Sequence, residues 1–163
     1  MTEINTTAYW FVLTGALWAL VFLLVPLRVL KSLLLPGFLM GFAWTFALNY
    51  PSVNWLKLYH FTKGPFMIGG VPLLLAISWY GAIVLFFFFV LSYPRFEVLF
   101  VALGGLATAA VFATTVRLGH LKPGHYSTLE SMYLGLISHV IALKVLRLFF
   151  PAKVRAPKMP PFE

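Results

Sequence analysis

His139 is the residue in this sequence best placed to do chemistry. It lies near the middle of an apolar run spanning 129–150, and an ionisable side chain at that depth in a bilayer is costly unless a partner or a function holds it there. Ser138 adjoins it, and Ser131 and Gly135 fall one or two turns away on roughly the same helical face. A neutral imidazole in that setting can bond a carbonyl or hydroxyl of a neighbouring helix, ligate the metal of a haem or chlorin, or hydrogen-bond a quinone oxygen. A haem held by two histidines needs the second at matching depth, whereas His60, His120 and His125 fall in connecting segments.

The remaining reactive types read as structural. Ser127-Thr128-Leu129-Glu130 is a capping box, in which the Glu reaches back to a free N–H at the start of a helix. Glu97 falls in the first turn of another helix, close to Arg95, where the helix dipole favours an anion. His120 and His125 flank Pro123 and Gly124, but two imidazoles make a weak metal site. Cysteine and aspartate are absent and the acids are Glu3, Glu97, Glu130 and Glu163. No thiolate site, paired-carboxylate machinery or multi-oxygen metal site can be assembled from that inventory. No catalytic or metal-binding set is therefore expected.

The elements that carry these residues follow from composition. Hydrophobic residues make up 61% of the 163 and charged residues 10%, against about 25% charged in soluble domains. A soluble globular fold is excluded, and an all-α polytopic membrane bundle is expected. Runs of about 20 apolar residues span a bilayer, and five are read here: 8–27, 33–50, 65–91, 96–116 and 129–150. The third is long, so it is tilted or irregular around Gly69–Pro72. Segment 51–64 is amphipathic, with Trp55, Leu58 and Tyr59 at helical spacing, and predicts a short interfacial helix anchored by Trp55 and Tyr59. Residues 1–150 form one transmembrane domain, and 151–163 form a basic, Pro-rich tail.

Helices in lipid associate through close backbone approach. Gly37 and Gly41 on the second span, and Gly105, Ala109 and Ala113 on the fourth, supply smooth faces for packing within the bundle or for an oligomer seam. Aromatics reach 18% of the chain, and Phe86 to Phe89 are consecutive. They read as lipid-facing bulk, or as a surface gripping a flat hydrophobic ligand.

With five spans, Arg28, Lys31, Arg95, Lys144, Arg147, Lys153, Arg155 and Lys158 collect on one side. Lys57, Lys63, Arg117 and Lys122 collect on the other. Eight against four places the N-terminus outside and the C-terminus in the cytoplasm of a plasma (inner) membrane. The net charge of +8 is then membrane-surface charge facing anionic headgroups. Lys144, Arg147, Lys153, Arg155 and Lys158 contact those headgroups or an acidic partner subunit. A nucleic-acid role would need a basic soluble face, which is lacking. Charge-driven transport would need a mid-membrane acid, which is also lacking.

The stretch Asn54-Trp55 through Gly64-Pro65-Phe66-Met67-Ile68-Gly69, followed by an aromatic span and the loop RLGHLKPGHY, resembles a family of short five-span bacterial membrane proteins common in spore-forming Firmicutes. That resemblance implies architecture and no mechanism. Gly70-Val71-Pro72-Leu73 with Trp79 is similar to small multi-span carotenoid hydratases and lycopene cyclases, which rely on intramembrane acids that are missing here. The expectation is a non-catalytic membrane subunit or scaffold that packs with partner chains, as a homo-oligomer or with other membrane subunits, or binds a hydrophobic cofactor such as a pigment or quinone. The alternatives are a small enzyme on a lipid or isoprenoid, using His139 with His60 or Glu130, and a small-molecule carrier.

Overall fold

The computed structural model describes residues 3–62 and 66–151. Among the described residues five long helices run alternately up and down: α1 (Glu3–Leu24), α2 (Leu27–Asn54), α3 (Leu73–Ser92), α4 (Glu97–Arg117) and α5 (Thr128–Phe149). Four stretches, Leu27–Asn54, Leu73–Ser92, Pro94–Arg117 and Thr128–Phe149, are long and apolar enough to cross a membrane, and α1 contributes the shorter apolar stretch Ala8–Leu24. Large apolar side chains cover the outer surface, with Val12, Leu23, Val98 and Leu148 each at least 70% exposed. Water would penalise such a surface and lipid does not.

The break between the first two helices falls at Val25 and Pro26, earlier than the expected 28–32. Proline suits a helix start, where its missing N–H is not needed, so α2 begins at once and takes Arg28, Lys31 and Ser32 into its first turns. Pro36 thereby lies inside α2, fully buried, and the helix passes into a π-helical segment over Phe38–Ala43 before resuming at Trp44. An interior proline removes a ladder hydrogen bond, and insertion of a wider turn accommodates the loss.

α2 runs on to Asn54, and no helix occupies the rest of 51–64 as described. Lys57 takes a positive φ of 51° and turns the chain into strand β1 (Tyr59–Phe61). Tyr59, expected beside Trp55 on an exposed helical face, is buried, whereas Trp55 is 73% exposed. The amphipathic spacing is the same in both readings, but pairing with strand β4 (Leu121–Pro123) supplies backbone hydrogen bonds that an isolated helical turn lacks. Residues 66–72 of the run 65–91 are likewise not helical. Strands β2 (Met67–Ile68) and β3 (Val71–Pro72) form a hairpin around Gly69 and Gly70, whose φ values of 56° and 80° suit glycine at both central turn positions. Helix α3 starts only after Pro72.

α3 is the central helix, packed on α1, α2 and the α4–α5 pair. That position explains why Phe86 and Phe87 are core residues, where lipid-facing bulk was expected; Phe88 and Phe89 are half-buried. Gly41 in the π segment meets α3 at the backbone: a methyl group there would lie 2.7 Å from the Trp79 carbonyl oxygen. Gly37 faces Val84 and Tyr80. On α4, Gly105 lies against Leu136 of α5, Ala109 is buried and Ala113 is half-buried. The ends of the bundle are tied by polar contacts. Arg147 donates two hydrogen bonds to the Glu97 carboxylate at 2.8 and 2.9 Å. At the opposite end the hydroxyls of Tyr9 and Thr115 are 3.2 Å apart.

Candidate functional site

A cavity of about 110 Å³ lies among the helices, from the level of His139 up to the β1–β4 pair. Trp44, Thr45 and Asn49 reach it from α2, Trp79 and Ile83 from α3, Thr108 and Thr115 from α4, and Ser131, Ser138 and His139 from α5. Tyr59, Phe61, Leu121 and Tyr126 close the end near the strands.

His139 is buried. Its Nδ1 is 2.7 Å from the Gly135 carbonyl oxygen, and a carbonyl can only accept, so Nδ1 carries the proton and donates it. In the neutral imidazole Nε2 is then a bare acceptor, with no hydrogen-bond partner among the described residues. The ring is held on three sides. Phe86 meets it edge-on at 4.9 Å between centroids, Trp79 lies at 6.4 Å, and on the α4 side the ring occupies the space where a side chain at Gly104 would begin. Only glycine at 104 leaves room for it. Gly104 therefore shapes the site, and its place next to Gly105 in the sequence disguised that role as ordinary packing.

The neighbouring Ser138 Oγ accepts a hydrogen bond from Trp44 Nε1 at 3.1 Å. Higher in the cavity, Asn49 donates to the Thr45 carbonyl, and its Oδ1 accepts from the Tyr59 hydroxyl at 2.8 Å. Burial pushes the Tyr59 phenol well above the usual tyrosine range, and burial also raises Tyr126. Both remain protonated donors. Tyr59, Phe112 and Tyr126 form a ring cluster with centroids 5.2 to 6.2 Å apart, a stiff aromatic cap over the polar groups. Asn49, Trp44 and Gly104 belong to this site without having been singled out as site residues by sequence, where Trp44 carried only a generic aromatic signal; Tyr59, expected as an interfacial anchor, belongs to it as well.

Other expected residues lie elsewhere. Neither His60 nor Glu130 lines the cavity. Glu130 and Ser127 close a reciprocal capping box at the start of α5. Glu97 has Arg147 as its partner, a pairing across 50 residues that no local pattern announces. His120 is buried and packs against Tyr9, with centroids 4.9 Å apart. Among the described residues no group of three or more His, Cys, Asp or Glu could hold a metal ion. Lys144 is exposed near the end of α5, while Lys153, Arg155 and Lys158 lie outside the described residues.

Compared with protein-family models, with curated proteins and with solved structures, the chain matches none.

Proposed function

We propose that the chain is a non-catalytic integral membrane protein that holds a small hydrophobic molecule, of lipid or isoprenoid character, in the cavity beside His139. The observation that carries this reading is the cavity's composition: aromatic walls from Trp44, Trp79 and Phe112, and a few converging polar groups headed by His139 and Ser138. Binding sites for small molecules combine such apolar walls with sparse polar contacts that set orientation. A volume of about 110 Å³, below the roughly 150 Å³ of a dry cavity that admits benzene, suits one small branched unit of a chain whose remainder extends out of the cavity. A tetrapyrrole fits poorly, because a cavity of about 110 Å³ is far too small for a macrocycle. In this reading all five helices span an inner membrane, with the capped end and the N-terminus outside. Arg28, Lys31, Arg95, Lys144 and Arg147 then face cytoplasmic headgroups, following the bias of positive charge toward the cytoplasm.

Native mass spectrometry of the full chain released from a mild detergent tests the reading. A one-to-one adduct of a small hydrophobic molecule is expected, and it should be lost in Val111→Phe, which grows into the cavity. An adduct-free spectrum for the parent chain, or adducts unchanged by Val111→Phe, would overturn it.

A further inference from the structure

We infer that the molecule bound beside His139 presents a hydroxyl group there: it is a lipid alcohol or a phenol rather than a ketone, an ether or a plain hydrocarbon. The inference rests on the proposed binding function and specifies its ligand.

Around the cavity Thr45, Thr108 and Thr115 each turn their hydroxyl back to the carbonyl four residues earlier, at 2.5, 2.8 and 2.6 Å. That satisfies each donor within its own helix. Ser138 makes no such bond. Its oxygen accepts from Trp44, and its own proton has no acceptor among the described residues. The adjacent His139 has the opposite requirement, because donation from Nδ1 to the Gly135 carbonyl leaves Nε2 able only to accept. A spare donor and a spare acceptor thus stand on consecutive residues, and both residues line the same cavity. Leaving such groups unpaired away from water is unfavourable.

A hydroxyl suits both kinds of group, because it can donate to an acceptor such as His139 Nε2 and can accept from a donor such as Ser138. A ketone, quinone or ether oxygen accepts only, so it would meet Ser138 and leave Nε2 unpaired. An ammonium group would bring a charge to a site with no carboxylate on its wall. Water has the same donor and acceptor capacity as an alcohol, so the measurement has to separate a lipid alcohol from trapped water.

The full chain in lipid nanodiscs is titrated with geraniol, with its methyl ether and with the hydrocarbon myrcene, three probes of similar size. Intrinsic tryptophan emission is the readout, since Trp10, Trp44 and Trp79 line the cavity. Concentrations are expressed per mole of lipid, and His139→Leu serves as the blank for partitioning. Geraniol is expected to bind roughly 10-fold more tightly than either comparator, because a site built to pair a hydroxyl discriminates against analogues that lack it. Ser138→Ala should reduce that preference by about 3-fold or more and leave myrcene unchanged. If all three probes bind alike, water rather than ligand pairs these groups. The hydroxyl assignment is then overturned while the binding function stands. If none gives a saturable change relative to the blank, both fall.

Discussion

At the scale of single residues, the chemistry of this chain reduces to imidazoles and hydroxyls in dry surroundings. His139, on the cavity wall, uses one ring nitrogen to fix its own orientation and keeps the other as an acceptor. His120, outside the spans, shows what burial does to such a ring: desolvation disfavours the imidazolium and lowers its pKa from the ordinary 6.5. The unfolded chain then binds the proton more readily than the folded one. The stability held by neutral His120 is complete above about pH 6.5 and is lost as pH falls from there through the folded value. Thermal unfolding in detergent, followed from about pH 7.5 down to about pH 5, should show a falling midpoint, and His120→Gln should flatten that slope. A variant with the parent's slope would show that His120 does not contribute to the acid sensitivity.

At the scale of elements, two contacts decide how the helices meet: the π segment of α2 on the backbone of α3, and the glycine pair of α4 under α5. Gly41→Ala puts a methyl group against the backbone at Trp79 and Tyr80, atoms that cannot swing aside as a side-chain tip can. It should cost about 1–3 kcal/mol by forcing the helices apart. Gly15→Ala, with open space around it, should leave stability unchanged or raise it by up to about 1 kcal/mol. Melting midpoints of the two variants in one detergent check the contrast, and equal effects would contradict the packing described.

The helical runs were legible in the sequence because lipid demands long apolar segments, and that pattern survives any detail of packing. The joints were not. Whether 55–62 forms a helical turn or a strand depends on Leu121 to Pro123, some 60 residues away, and hydrophobic spacing at Trp55 and Tyr59 fits either. His139 was legible as a site because it is ionisable and deep in an apolar run. Its surroundings were hidden: Gly104 among many small residues, Trp44 among many aromatics, and Asn49 next to what looked like the end of a span.

At the scale of the whole molecule, alternating helices put the β-strand cap and the start of α1 at one end, and the Glu97–Arg147 pair at the other. Reporter fusions after Lys57 and after Lys158 should therefore report opposite sides of the membrane, with the second in the cytoplasm. Both on one side would refute a five-span arrangement.

A molecule bound as proposed enters the bundle itself rather than merely coating it, and Trp79 stands on the wall that would feel it. A variant keeping Trp79 as its sole tryptophan, placed in nanodiscs and titrated with a brominated terpene alcohol, measures this directly. A second variant keeping only the exposed Trp55 reports contact from outside. Saturable quenching of Trp79, abolished by Val111→Phe, is expected against a linear, unsaturable response at Trp55. Linear quenching at both positions, indifferent to Val111→Phe, would contradict entry into the bundle.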